Sequence, residues 1–222
     1  MTKQGNNLPI HLIGPKNKNQ WDPIWKNCFK FWESSSYNIK LWNDEEDIDN
    51  LLKEDDLSFF NILQTIPKIF KLDYARYVIL EKFGGAYFDL DVEVKINFLP
   101  HLNLQKIYIM ESSVPDEIVQ NSIIVSLKTT KSSYFWDIVK NHSKSNIKNN
   151  LQTCKDYFSI IPFGTNVRKI TGPLFLSKIY KIYSPKFNIE LLSHLHFNKM
   201  PHGFKICYHH QTGNWGNDLT NF

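Results

Sequence analysis

The sequence is poor in cysteine and has no long apolar run. Its three cysteines, Cys28, Cys154 and Cys207, are odd in number and lack metal-ligand spacing. This argues against a disulfide framework and favours free thiols in a reducing compartment. No apolar stretch approaches the ~20 residues of a membrane-spanning helix, and the polar N-terminus shows no signal peptide. These absences predict a soluble, cytoplasmic protein without a transmembrane segment.

Arginine is also scarce, with only Arg76 and Arg168 present. The lysines are scattered and the net charge is only +4, so the chain suits an anionic ligand but lacks the basic cluster of a nucleic-acid-binding protein. Hydrophobic residues make up 42% of the chain and aromatic residues 14%, which argues against disorder. We expect a single domain, residues 1–222, because neither a linker nor an internal repeat divides the chain.

Short apolar runs alternate with helix signals along the chain. This alternation predicts an α/β fold with a mostly parallel central sheet flanked by helices. A cap at Asn43 or Asp44 should open an acidic helix, and Gly84 should end the helix over 67–82 in the left-handed conformation. The other expected strands are 8–13, 37–42, 107–110, 122–127 and 205–209, and the other expected helices are 23–31, 134–141, 150–158 and 174–183.

The segment Phe83–Val92 reads Phe-Gly-Gly-Ala-Tyr-Phe-Asp-Leu-Asp-Val, the pattern of a strand that leaves a glycine turn. Side chains alternate along a strand, so Asp89 and Asp91 are expected on one face with Cα atoms roughly 6.6 Å apart. Two buried acids on one face require a cation, and oxygen ligands suit a hard ion such as Mg²⁺ or Mn²⁺. The segment therefore predicts an enzyme that handles a phosphate-bearing substrate through a metal.

The helix before this segment carries Asp73, Arg76 and Tyr77 on one face. Taken alone, Asp73 and Arg76 fit a plain intrahelical ion pair. So close to the two aspartates, Arg76 is instead a candidate to orient an acid or contact a ligand, and Asp73 to accept ribose or sugar hydroxyls. The Gly84-Gly85 pair allows close approach to the backbone, but it lacks the spacing of a dinucleotide fold or a P-loop.

Polar and aromatic residues also gather in the C-terminal stretch Tyr208–Trp215. A strand here would place His209 and His210 on opposite faces, so at most one of them should reach the metal. A neutral imidazole is a good ligand for Mn²⁺ and would complete a mixed carboxylate–histidine set. Lone histidines are more often structural than ligands, and without further evidence Trp215 is expected to be a packing residue.

These segments together resemble the glycosyltransferases of sequence family 32, the group of sugar transferases that contain a DXD motif. The family signature is an Asp-x-x-Arg-Tyr helix followed by Tyr/Phe-Gly-Gly-x-Tyr-x-Asp-x-Asp, which this chain matches over 73–77 and 83–91. Weaker similarities lie at 37–44, 121–124, 171–173 and 209–215, so the resemblance covers most of residues 8–216.

The resemblance implies a GT-A fold, a single Rossmann-like domain that binds a UDP- or GDP-sugar and a divalent metal, Mn²⁺ first and Mg²⁺ second. It implies transfer of a hexose to a glycan or other hydroxyl acceptor, with retention of the anomeric configuration. By position, Asp91 would ligate the metal, Asp89 would hold metal and ribose, and His209 would add a third ligand. Asp89, Asp91 and Arg76 would be the catalytic residues.

The resemblance also implies a donor-binding set. Its members are Asp73, Arg76, Tyr77, Gly85, Tyr87, Asp89, Asn121 and Trp215. Of these, Asp73 and Arg76 would bind sugar hydroxyls or orient the acids, Asn121 would line the sugar pocket, and Trp215 would cover the diphosphate.

Two departures from the family pattern concern the edges of the expected site. Asn214 replaces the usual serine before the tryptophan, and the opening segment 8–13 differs from the usual Ile-Pro-Lys-Ile-Ile-His-Gln.

Two alternative functions stay open on the sequence. One is a metal-dependent phosphatase of the haloacid type, although Glu93 stands where that type has a small hydroxyl residue or valine. The other is a degenerate sugar- or nucleotide-binding module of the same fold.

Overall fold

The computed structural model describes residues 8–156, 165–193, 206–210 and 212. They form a six-stranded sheet flanked by helices, together with a small two-stranded sheet. The strands are β1 (Ile10–Gly14), β2 (Ile39–Asn43), β3 (Gly85–Phe88), β4 (Val92–Val94), β5 (Ile107–Glu111), β6 (Val119–Ser126), β7 (Ile189–Leu192) and β8 (Cys207–His209). The helices are α1 (Pro23–Glu33), α2 (Glu46–Leu63), α3 (Lys68–Phe83), α4 (Thr130–Asn149), α5 (Leu151–Lys155), α6 (Thr165–Ile170) and α7 (Pro173–Tyr183).

The large sheet has the strand order β2-β1-β3-β6-β5-β7. Only β6 pairs antiparallel with its neighbours, so five of the six strands run in one direction. The predicted α/β class with a mostly parallel sheet is therefore confirmed. The carboxyl end of β3, in the middle of the sheet, is where such folds place their ligands.

Side chains of β3 show how the sheet separates two cores. Tyr87 packs with residues of α2–α7 on one face, whereas Ala86 and Phe88 pack with α1 and β4 on the other. Trp32 of α1 and Phe88 lie with ring centroids 4.7 Å apart on that second face. Burial on both faces explains why β3 is an uninterrupted apolar run and why its register is fixed.

Two helices differ from their expected form. The N-cap residue of α2 is Glu45 and not the expected Asn43 or Asp44, although Asn43 Oδ1 accepts from the N–H groups of Glu45 and Glu46. The helix then kinks at Asp56, whose backbone is extended and whose carboxylate accepts from the Phe59 N–H. α4 runs twelve residues longer than the predicted 134–141, because a capping box opens it and a polar face extends it. None of the described helices is both long and apolar enough to cross a membrane.

The two glycines between α3 and β3 are required by neighbouring backbone. Gly84 ends α3 with φ 61° and ψ −156°, so φ is positive as expected but ψ is not that of a left-handed helix. A Cβ there would overlap the backbone of Lys128. Gly85 has φ 100°, and a Cβ would overlap the Pro9 carbonyl oxygen. Because only glycine fits at these two positions, β3 can begin two residues after the end of α3.

His11 of β1 is buried beside this junction. Its Nε2 lies 2.9 Å from the Gly84 carbonyl oxygen, and Trp42 Nε1 donates to its Nδ1 at 3.2 Å. The ring is therefore neutral, with the proton on Nε2 directed at Gly84. Burial lowers the pKa of His11 to about 4, and the charge of Lys40 acts in the same direction against the opposing effect of the Gly84 bond.

We expect the free energy of unfolding to fall as the pH drops from about 6.5 to about 4, because the unfolded chain protonates His11 in that window and the folded chain does not. The full difference is about 3 kcal/mol, and above this window His11 adds no pH dependence. His11→Gln keeps an N–H for the Gly84 carbonyl and should flatten this slope in urea melts across pH. His142→Gln, at an exposed histidine, should leave the slope unchanged. Equal slopes in His11→Gln and the wild type would contradict the assignment.

Candidate active site

The two aspartates lie in the turn that joins β3 to β4. The Asp89 N–H still bonds the Ser122 carbonyl at 2.9 Å, and the Val92 N–H then turns back to the Asp89 carbonyl at 3.1 Å. The prediction that Asp89 and Asp91 alternate along one strand is therefore wrong, because this turn ends β3 at Phe88. Both carboxylates nevertheless lie just beyond the carboxyl end of β3.

His209 reaches the carboxylates from β8, which pairs antiparallel with β4 directly after Asp91. Its Nε2 lies 3.1 Å from Asp91 Oδ1. One candidate ligand atom from each of Asp89, Asp91 and His209 lies within 4.8 Å of the other two. His210 is directed elsewhere, with Nε2 3.2 Å from Glu93 Oε2. As expected from strand alternation, only one of the two histidines joins the cluster.

The donor set of this cluster fits a divalent ion. Two carboxylates and one imidazole nitrogen are ligands that suit Mn²⁺ and related metals. His209 Nδ1 is buried and has no hydrogen-bond partner among the described residues, so the polar contacts of the ring are directed at the carboxylates. Asp91 is 9% exposed. Burial of acids at this density is costly without a nearby cation.

The pKa shifts point to the same need for positive charge. Burial raises the pKa of Asp89, which the Arg76 guanidinium only partly offsets. Burial also opposes ionisation of Asp91, but its hydrogen bonds and the charge of His209 bring the pKa of Asp91 below the ordinary value. Burial lowers the pKa of His209, yet the two carboxylates raise it overall. The cluster therefore favours a cation, either a proton on His209 or a metal ion.

Thr212 occupies the other carboxylate oxygen of Asp91. Its N–H donates to Asp91 Oδ2 at 3.0 Å, and its hydroxyl lies 3.2 Å from the same oxygen. Trp25 Nε1 of α1 in turn donates to the Thr212 hydroxyl oxygen at 3.2 Å. Sequence reasoning missed both residues. Thr212 stood in the polar C-terminal stretch, but no pattern marked Trp25.

Arg76 connects α3 to the carboxylates. Its Nη2 lies 3.0 Å from Asp73 Oδ1 and 3.5 Å from Asp89 Oδ1, and its Nη1 donates to the Asn121 carbonyl at 2.9 Å. The guanidinium carbon lies 4.9 Å from the centre of the Tyr87 ring. The intrahelical ion pair thus exists, but as one part of a buried network that ends at the DXD turn.

Asp73 is satisfied within the protein on both carboxylate oxygens. Besides Arg76, Oδ1 accepts from Asn121 Nδ2 at 3.0 Å, while Oδ2 accepts from the Thr171 hydroxyl at 2.8 Å. Burial raises the pKa of Asp73, against the opposing charge of Arg76 and these bonds. Thr171 was not predicted as a site residue, although residues 171–173 were noted as one of the weaker similarities to the family.

The two predicted tyrosines donate hydrogen bonds from their hydroxyls to the network around Asp73 and Arg76. Tyr87 donates to Asp89 Oδ1 at 2.8 Å, next to the Arg76 contact. Tyr77 donates to the Thr171 carbonyl at 2.6 Å, one residue before the glycine that caps α7. Both rings are almost fully buried.

The structure does not bring every predicted residue to the cluster. Gly85 lies at the opposite end of β3 from the DXD turn, against Pro9. Trp215 and Asn214, expected near the diphosphate, lie outside the described residues. The described cluster therefore consists of the DXD turn, one face of α3, Asn121, Thr171 and the end of β8.

Comparison with known proteins agrees with the resemblance to DXD-containing glycosyltransferases. Residues 19–114 match the family "Glycosyltransferase sugar-binding region containing DXD motif". Inositol phosphoceramide mannosyltransferase 1 of Schizosaccharomyces pombe is 29% identical over 184 residues, which cover 82% of this chain and 52% of that protein. The chain thus spans about half the length of this relative.

A solved structure shares the fold. The PaToxG glycosyltransferase is 17% identical and superposes with a TM-score of 0.51, covering 81% of this chain and 70% of its own. The matched region contains α3 and the DXD turn, whose geometry is described above. Residues 19–114 of this chain are therefore similar to the sugar-binding region of glycosyltransferases that contain a DXD motif, and the chain has a GT-A fold.

Proposed function

We propose that this chain transfers a hexose from a nucleotide-diphospho-sugar to a hydroxyl acceptor, with a divalent metal and with retention of the anomeric configuration. The observation that carries the proposal is the convergence of Asp89, Asp91 and His209 within 4.8 Å at the carboxyl end of β3. The similarity of residues 19–114 to the DXD-containing sugar-binding region supports sugar transfer over the phosphatase alternative. The buried network around Arg76 supports an assembled site over a degenerate one.

Three residues would hold the metal. Asp91 and His209 would be direct ligands, and Asp89 would be shared between the metal and the ribose of the donor. The mixed oxygen and nitrogen set favours Mn²⁺, with Mg²⁺ as the second choice. When bound, the ion supplies a Lewis acid that stabilises the charge of the departing nucleoside diphosphate by several kcal/mol.

The network behind these ligands would hold Asp89 in place. Arg76 and Tyr87 both contact Asp89 Oδ1, which leaves the second oxygen of that carboxylate for the metal or the ribose. Both oxygens of Asp73 are engaged within the protein, which supports its orienting role over direct binding of sugar hydroxyls. Through Asn121 and Thr171, Asp73 would also fix the walls of the site.

The name of the relative supports a choice of donor and acceptor classes. That protein is named as a mannosyltransferase that acts on inositol phosphoceramide. We therefore propose a mannose donor and an acceptor hydroxyl on a lipid or glycan. A lipid acceptor and a glycan acceptor would both react through a hydroxyl group, so the acceptor class is hard to distinguish. The identity of the donor is therefore the better first question for an experiment.

A thermal-shift panel tests this proposal without knowledge of the acceptor. It compares UDP-glucose, UDP-galactose, UDP-N-acetylglucosamine, GDP-mannose and GDP-fucose, each with Mn²⁺, with Mg²⁺ and with a chelator. A ligand at 100 times its Kd stabilises the folded state by about 2.7 kcal/mol. For a chain of this size the Tm should rise by roughly 5–10 °C.

We expect GDP-mannose with Mn²⁺ to give the largest rise, and the chelator to remove it. Stabilisation by another sugar nucleotide would correct the donor while keeping the metal assignment. Equal stabilisation with metal and with chelator would overturn the role of Asp89, Asp91 and His209 as a metal centre. A flat panel would contradict the proposed function itself.

A further inference from the structure

The net charge of this chain is small, but its N-terminal and C-terminal parts carry opposite net charges. Residues 1–127 contain 13 lysines and arginines against 18 acids, a net charge of −5. Residues 128–222 contain 13 lysines and arginines against only four acids, a net charge of +9. Charge asymmetry of this size between two parts of one fold indicates a surface for an anionic partner.

In the described structure, helices of the basic part share one layer. α4, α6 and α7 all pack into the core on the Tyr87 face of the sheet, opposite to α1. Several of their lysines are exposed and form no ion pair with a described residue. We call these lysines, with one from the turn after α7, the basic face: Lys131, Lys169, Lys178, Lys181 and Lys186.

Large apolar side chains are exposed among these lysines. Ile182 is 60% exposed and Tyr134 is 62% exposed. Tyr134 of α4 lies beside the end of α7, since its ring centroid is 6.0 Å from that of Phe187. Ile182 also lies on α7, four residues after Lys178 and therefore on the same side of the helix. An aliphatic and an aromatic side chain thus stand next to two or more free lysines.

We propose that this basic face docks the protein onto an anionic lipid bilayer. Lysines attract acidic head groups, while exposed isoleucine and tyrosine side chains insert at the boundary between head groups and acyl chains. A nucleic acid is a poorer fit, because it has no acyl-chain region to receive the exposed Ile182 side chain. Arginine, which most often forms the bidentate contacts to phosphates and base edges, is also not free here. The only arginine of the basic part, Arg168, is engaged with Glu117 at 2.7 Å.

The position of α7 relates this surface to the candidate active site. α7 begins directly after Gly172, and a Cβ added at this glycine would lie 3.4 Å from Asp73 Oδ2. The 11 residues of α7 span about 16 Å, and Ile182 lies near the end of the helix that is farther from Gly172. A docked bilayer would therefore lie within about one helix length of the site. Docking itself requires neither donor nor metal.

Vesicle co-sedimentation tests the proposal with the whole chain in the absence of nucleotide and metal. We expect binding to phosphatidylserine-rich vesicles, weak binding to pure phosphatidylcholine vesicles, and loss of binding at high salt. Lys178→Gln/Lys181→Gln should weaken binding about 30-fold, from a contribution of about 1 kcal/mol for each lysine. Ile182→Ser should also weaken binding, but without changing its salt dependence.

The matched control is Lys26→Gln/Lys30→Gln, two exposed lysines one turn apart on α1, on the other side of the sheet. This control should bind vesicles within about twofold of the wild type. Equal loss in both double variants would show nonspecific charge attraction and overturn the proposal. So would absence of vesicle binding at low salt, or tighter binding to single-stranded RNA with the same dependence on Lys178 and Lys181.

Discussion

Asp91→Asn is expected to remove Mn²⁺-dependent donor binding and to abolish sugar transfer while the fold persists. The substitution removes the negative charge that a metal needs, but the amide oxygen still accepts from the Thr212 N–H. Even an indirect partner of a metal ligand contributes roughly 10- to 100-fold to affinity or activity, so loss of a direct ligand should exceed that range. Titration with Mn²⁺ followed by electron paramagnetic resonance measures the metal directly, and turnover of the best donor measures transfer.

Asp116→Asn provides the matched control for Asp91. Asp116 is exposed in the turn before β6 and has φ 69°, a conformation that asparagine tolerates. This variant should bind Mn²⁺ and transfer sugar as the wild type does. If Asp91→Asn retains wild-type Mn²⁺ affinity and turnover, the metal centre lies elsewhere.

Arg76→Met is expected to lower the free energy of unfolding by about 3–5 kcal/mol, the usual cost of leaving buried charges without their partner. Its guanidinium is 7% exposed and lies between the carboxylates of Asp73 and Asp89. Methionine fills a similar volume, so the loss reports charge and hydrogen bonds more than packing. Arg76→Lys keeps the charge but not the forked donor, and should fall between methionine and the wild type. Urea denaturation measures all three proteins.

The chain's only other arginine gives the comparison for Arg76. Arg168 pairs with the buried Glu117, but its side chain is 32% exposed, and Glu117 also accepts from the Ser112 hydroxyl. Arg168→Met should therefore cost about 1–2 kcal/mol. Equal losses at the two arginines would show that the network around Asp73 contributes no more than a single ion pair whose arginine is partly exposed.

The candidate site was predictable where its residues are close in sequence. Asp73, Arg76, Asp89 and Asp91 belong to a helix and the turn that follows the next strand, so a short motif contains them. The geometry was less predictable. Strand alternation predicted the two aspartates on one face of a strand, but the structure brings them together in a turn. The hydrogen bond that closes this turn, from the Val92 N–H to the Asp89 carbonyl, could not be predicted from the local sequence.

Long-range partners explain most of what the sequence did not reveal. Thr171 reaches Asp73 across 98 residues, and Thr212 reaches Asp91 across 121. A single sequence contains no signal for such pairings, because any hydroxyl could serve. The strands were easier, since apolar runs buried on both faces are visible in composition alone. The kink of α2 at Asp56 was missed because its capping carboxylate sits within an otherwise acidic helix.

The antiparallel pair β4–β8 makes the order of synthesis relevant to activity. The carboxylates leave the ribosome well before His209 and Thr212, which complete the cluster through only three paired positions. A nascent chain that ends before β8 can assemble the central sheet yet holds only two of the three candidate ligands. Completion of the candidate metal site thus depends on the last described strand to be synthesised, and a chain released before β8 would lack one of its three candidate ligands.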